Sequence, residues 1–192
     1  MVTQKENITK TIRCLVEGAQ SVGKTTLISS VSRRIIDKEM EIIPVWSIAR
    51  ELADAGFGHD YQTGIADYYM YYAKHLENWR TSKEGILLFE RSLLDVIVYS
   101  RLLLGPGHQV EKLGIELYKI IEKEINAVVY LPIEFYPVPD GFRDASVESQ
   151  KAFDRILLDI MNELAVPYQT ITGSIEVRSQ NLIDFLYNII RV

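Results

Sequence analysis

Two periods of apolar residues alternate along the chain. Thr11-Ile12-Arg13-Cys14-Leu15-Val16-Glu17 alternates and is β-branched enough to predict a strand. Thr26 to Ile36 then carries apolar residues at helical spacing. Met40 to Trp46 reads as a second short strand, with Pro44 marking its start or an edge. Ser47 to Ala53 turns helical, and Gly56-Phe57-Gly58 breaks it. A long helix is expected over Gln62 to Ser82, ending near Gly85. Ile86-Leu87-Leu88-Phe89 closes on Glu90, the pattern of a buried parallel strand with an acid at its carboxyl end. Ser92 can cap a helix to about Leu104, which Gly105-Pro106-Gly107 stops, and another helix is expected from Val110 to Glu124. Ala127 to Leu131 is a fourth strand, halted by Pro132. Ile133 to Ser146 reads as an ordered loop, Val147 to Leu164 as a helix and Tyr168 to Thr172 as a fifth strand. Gly173-Ser174 open a final helix with Leu182, Ile183, Phe185, Leu186, Ile189 and Ile190 at its apolar positions. Strands alternating with helices predict an α/β fold: a three-layer sandwich around a central five-stranded parallel sheet, in one domain over residues 1–192. Ligands of such sheets sit at the carboxyl ends of the strands, where Glu17, Trp46, Glu90, Leu131 and Thr172 fall.

Gly18-Ala19-Gln20-Ser21-Val22-Gly23-Lys24-Thr25-Thr26 lies between the first strand and the first helix and fits the phosphate-loop pattern G-x-x-x-x-G-K-[ST]. Strand before and helix after separate this motif from a chance glycine turn. Gly18 and Gly23 let the backbone curl so that its N–H groups point at an anion, and the helix N-terminus adds its positive end. Lys24 can reach the outer phosphates and Thr25 can place its hydroxyl on Mg²⁺. ATP and Mg²⁺ are therefore the expected cofactors, with Glu90 joining Thr25 at the metal and Asp95, on the helix behind it, as the alternative acid.

Composition narrows the partners. The net charge of −5 speaks mildly against a broad nucleic-acid grip. The single cysteine, Cys14, cannot form an internal disulfide and suits a buried strand. His59, His75 and His108 lack zinc-like spacing, so no zinc site is expected. The polar N-terminus has no signal-peptide core and no apolar run reaches membrane-spanning length, which gives the chain a cytoplasmic character with no membrane partner. A homodimer is compatible with the sequence.

Phosphoryl transfer needs positive charge around the γ-phosphate, which Lys24, Arg91 and Arg143 could supply from three sides. Arg143 sits in a segment of about 133–147 whose prolines and glycine suit a closing lid; pairing with Asp140 or Asp144 is its competing role. Arg50, Glu51, Asp60, Tyr61, Gln62 and Tyr68 are acceptor-side candidates, weighed against helix-surface and turn-capping roles. The stripe formed by Tyr68 and Tyr72 is more often core than ligand contact.

The chain resembles the P-loop nucleoside and nucleotide kinases, in particular the ribosylnicotinamide kinase-like domain, from about Ile12 to Tyr187. The carriers are Gly18 to Thr25, Val45-Trp46-Ser47-Ile48-Ala49-Arg50-Glu51, His59-Asp60-Tyr61, Asp140-Gly141-Phe142-Arg143 and Val166-Pro167-Tyr168. Phe89-Glu90-Arg91-Ser92 is similar to the E-R-S element of deoxynucleoside kinases. The resemblance implies ATP- and Mg²⁺-dependent phosphorylation of a nucleoside, a nucleotide or a related small molecule, with adenine near Ser174. It departs at Ser47, where the ribosylnicotinamide kinases have an acid that engages the substrate hydroxyl. Two alternatives stand beside it: a kinase for a hydroxymethylated base within DNA, which the acidic charge disfavours, and a P-loop NTPase switch. The guanine-specificity pattern N-K-x-D is absent.

Overall fold

Ile12–Glu17 (β1) is the centre of the sheet. It pairs in parallel with Ile86–Glu90 (β4) on one side and Ala127–Tyr130 (β5) on the other. Met40–Val45 (β3) joins outside β4 and Gln169–Thr170 (β6) outside β5, both parallel. Every residue of β4 and β5 is buried, which is why these runs are apolar without alternation. The five-stranded parallel sheet expected from the sequence is thus present. A two-residue strand, Ile35–Ile36 (β2), adds antiparallel to β3 and gives the order β2-β3-β4-β1-β5-β6. The computed structural model describes residues 11–32, 35–36, 40–59, 62–81, 83–137 and 146–191.

The helices are Lys24–Val31 (α1), Ala49–Asp54 (α2), Ile65–Trp79 (α3), Leu93–Leu104 (α4), Gln109–Ile121 (α5), Val147–Glu163 (α6) and Ile175–Ile190 (α7). α1 packs on α7, and α4 on α3, α5 and α6. No described helix is long and apolar enough to cross a membrane.

Three boundaries differ from the sequence pattern. α1 stops at Val31 instead of running to Ile36, because the Ser32 hydroxyl donates to Ile28 O at 2.6 Å and Ile35–Ile36 pairs with Met40 and Glu41. α3 begins at Ile65, not Gln62: Gly64 is its N-cap and donates to Asp67 Oδ2 at 2.7 Å. The last strand shrinks to two residues, which pair with Val129 and Tyr130 only. Pro44 is tolerated because β2 covers only Met40 and Glu41 of β3.

Register fixes the working edge. Val16 pairs with Glu90, Glu17 with Tyr130 and Val45 with Phe89, so β1, β3, β4 and β5 end together.

Candidate active site

The loop after β1 owes its path to glycine. Gly18 has φ 142°, and a Cβ there would lie 2.5 Å from Leu131 O, so only glycine fits. Gly23 is the left-handed N-cap of α1, from which Lys24 and Thr25 project. Lys24 is buried, and its Nζ donates to Gly18 O at 2.7 Å and to Ala19 O.

Two distant side chains brace the loop. Gln150, fully buried on α6, donates to Gln20 O at 2.7 Å and to Phe135 O at 3.3 Å. Arg178 on α7 donates to Val22 O at 2.7 Å, pairs with Glu134, and lies 5.2 Å from the Phe135 ring centroid. Arg178 and the Gly173 N–H hold the Glu134 carboxyl below its ordinary range. The loop is thus braced from both α6 and α7.

Across the loop, Thr25 donates its hydroxyl to Glu90 Oε1, and Ser47 N–H reaches Glu90 Oε2 at 3.4 Å. Hydroxyl and carboxylate oxygens side by side form a hard donor set that fits Mg²⁺, which keeps most of its waters and takes few protein ligands. Glu90, Thr25, Arg50 and Trp46 line the open cleft in front of the loop.

Arg91 is the hinge of the site. It has φ 68°, a left-handed conformation costly for a side chain of this size and typical of functional positions. Its Nη1 donates to both carboxylate oxygens of Asp95, one helical turn on, and the pair is buried. Arg91 and Ser47 line the phosphate cleft and also a second, more enclosed chamber between α3 and α4. Tyr68, Tyr71, His75 and Tyr99 wall that chamber. Tyr68 is buried and donates to Tyr99 O at 3.2 Å, and Tyr72 donates to Val110 O at 3.0 Å. Both tyrosines are therefore core residues, as their spacing suggested, and Tyr68 also faces the chamber.

Glu17, the last residue of β1, is fully buried, and neither carboxyl oxygen has a well-formed hydrogen-bond partner. Burial, reinforced by Asp95, raises its pKa from 4.5 to about 7; Ser92, Arg91 and Lys24 oppose the shift. Between those values the folded state holds a proton that the unfolded chain has lost. Stability therefore falls as pH rises through the window, by an amount on the order of 3 kcal/mol. Glu17→Gln should leave the Tm nearly unchanged close to pH 5 and raise it clearly at pH 8. Thermal unfolding at both pH values checks this, and an equal shift at both would mean that Glu17 keeps its ordinary pKa.

The predicted site residues separate cleanly. Gly18 to Thr26, Glu90, Arg91, Arg50 and Tyr68 surround the loop or its two chambers. Glu51 does not: it points to Lys74 on α3, 2.9 Å away. Gln62 is exposed ahead of α3 and lines neither chamber. Asp60, Tyr61, Arg143 and most of the expected lid lie outside the described residues. Asp95 faces Arg91, not Thr25, beside which the sequence offered it as the alternative to Glu90 at the metal. Gln150 and Arg178 were not singled out from sequence, His75 was weighed only as a zinc ligand, and Glu17 was placed only at the strand edge. Only His75 left a signal there, since Tyr68, Tyr71, Tyr72 and His75 recur at one-turn spacing.

A family model of AAA domains, AAA_28, matches residues 13–178. The chain belongs to this AAA-domain family. Among solved structures, the AAA domain is similar to NadR in complex with NAD and AMP-PNP, at 21% identity and TM-score 0.69, covering 95% of this chain and 50% of that one. A NadR complex with NR gives the same values of 21%, 0.69, 95% and 50%. The chain thus spans about half the length of NadR. Thymidylate kinase from Candida albicans matches at 13% identity and TM-score 0.62, covering 93% of this chain and 92% of that one. No curated protein sequence matches the chain. The shared fold is that of the P-loop nucleoside and nucleotide kinases that the sequence resembles.

Proposed function

We propose that the AAA domain, acting as a single unit, is an ATP- and Mg²⁺-dependent phosphotransferase whose acceptor is a nucleoside, a nucleotide or a related small molecule. The observation that carries this is the shared wall: Arg91 and Ser47 border both the phosphate cleft and the chamber beside it. A hydrolase needs room for one water, whereas a transferase needs a second chamber opening at the γ-phosphate. The names of the structural neighbours agree, since NadR was solved with AMP-PNP and with NR, and the other neighbour is a thymidylate kinase.

The loop N–H groups and the α1 N-terminus hold the donor phosphates. Lys24 leaves its loop carbonyls for the β- and γ-phosphate oxygens and offsets the charge gathering on them. Thr25 and Glu90 would hold Mg²⁺, which when bound would offset negative charge on the phosphates. Arg91, held by Asp95 and bordering both cavities, would offset charge where the acceptor oxygen meets the γ-phosphate. The acceptor oxygen, of a hydroxyl or of a phosphate, attacks phosphorus as the bond to ADP breaks; a hydroxyl acceptor gives its proton to water or to an oxygen of the transferred phosphoryl group, with little need for a strong base, because the transition state is loose. Ser47 in place of an acid is compatible with that chemistry.

The test is a γ-labelled ATP transfer screen over nucleosides, nucleotides, ribosylnicotinamide and hydroxymethylated DNA. Label on a small acceptor supports the proposal. Label on DNA alone would replace its acceptor, and label on inorganic phosphate alone would remove it.

A further inference from the structure

We propose that Glu17, the buried acid directly before the phosphate loop, takes up a proton when a nucleotide binds the loop, so that the loop's grip weakens as pH rises. The inference rests on the nucleotide-binding part of the reading above and not on phosphoryl transfer.

A fully buried carboxyl with neither oxygen in a well-formed hydrogen bond is a costly group to keep. The groups that face it decide its charge. β1 itself contributes Cys14, and α5 contributes Tyr118. On β5 its register partner is Tyr130, whose hydroxyl donates to Asp154 on α6. Burial keeps this thiol and both phenols neutral around pH 7. The end of β4 and the start of α4 contribute Arg91, Ser92 and Asp95, and Arg91 is paired with Asp95. α1 contributes Lys24. Its Nζ donates to Gly18 O at 2.7 Å, on the residue that follows Glu17.

A bound phosphate chain shifts this balance in one direction. It draws the Lys24 ammonium toward its own oxygens and adds negative charge within the same loop. Both changes disfavour the ionised carboxylate. Burial, reinforced by Asp95, already holds the carboxyl of the free protein at about 7. Binding raises that value further, so above it the bound state keeps a proton that the free state has lost. By linkage, nucleotide affinity is highest at low pH and falls as pH rises through the window between the two values. Glu17 is a positioning residue that acts through Lys24.

The experiment titrates Mg²⁺·AMP-PNP into the protein by calorimetry in buffers of different ionisation enthalpy, which counts the protons taken up per nucleotide. Glu17→Gln keeps the size of the side chain and is uncharged at every pH; Glu17→Met repeats the measurement should the first variant not fold. Protons exchanged by the nucleotide itself are common to all these proteins, so the difference between them belongs to Glu17. At pH 8 the native protein should take up on the order of half a proton more per nucleotide than Glu17→Gln. Its affinity, relative to that of the variant, should fall about fivefold between pH 7 and pH 9. Equal proton counts with parallel pH profiles would overturn the inference and leave nucleotide binding in place, and would assign any uptake to another group such as Asp154. Absence of binding at every pH would overturn it together with the nucleotide reading. Glu17-dependent proton uptake with no label transferred to any acceptor would uphold it and remove the kinase reading.

Discussion

Replacing Lys24 with Ala should reduce phosphoryl transfer by on the order of a hundredfold or more while leaving the fold intact. The reason is geometric. Lys24 is the first residue of α1 and hangs over the loop on two carbonyls, Gly18 O and Ala19 O, which are weak partners beside a phosphate. Turned toward the transferring group, its charge would act where a preorganised cation can contribute several kcal/mol. Stability should change little, because the loop path is fixed by Gly18, Gly23, Gln150 and Arg178 independently of the ammonium. Circular dichroism and thermal unfolding would establish folding, and label transfer from γ-labelled ATP would establish turnover. A folded variant with near-normal transfer would contradict the role given to the loop.

Arg91→Ala should have two separable effects. Asp95 would be left as a buried carboxylate without its partner, at a cost of about 3–5 kcal/mol, which lowers Tm by roughly 10 °C in a chain of this length. Turnover should also fall, by on the order of a hundredfold, because the shared wall loses its only cation facing both described chambers. The double variant Arg91→Ala, Asp95→Asn distinguishes the two. It removes the orphaned charge and should regain most of the lost Tm, while transfer stays low. Recovery of transfer together with Tm would make Arg91 a structural residue only.

The sequence showed the first half of the site because its physics is local. A glycine loop between an apolar strand and a helix has few other uses, and an apolar run ending in Glu90 fixes a buried parallel strand. Ile35–Ile36 was misread because a short apolar stretch fits either period; its strand character comes from pairing with Met40 and Glu41. The braces were invisible for a different reason. Gln150 meets Gln20 across 130 residues, and Arg178 meets Val22 across 156. No periodicity encodes such contacts. The chamber lay between these extremes. Spacing put Tyr68, Tyr71 and His75 on one helical stripe, yet only the packing of α3 on α4 brings Arg91, Asp95 and Tyr99 opposite them. Glu51 shows the converse: neighbouring Arg50 along the chain, it turns instead to Lys74.

The most direct measurement is the fate of the γ-phosphate in a single turnover. The protein is mixed with a small amount of γ-¹⁸O-labelled ATP, first alone and then with the acceptor panel, and the products are weighed by mass spectrometry. A phosphotransferase should consume ATP slowly alone and much faster with its acceptor, with the label on an acceptor oxygen. Label appearing only in inorganic phosphate across the panel, at a rate raised by a protein partner, would contradict phosphoryl transfer and make the chain a nucleotide switch.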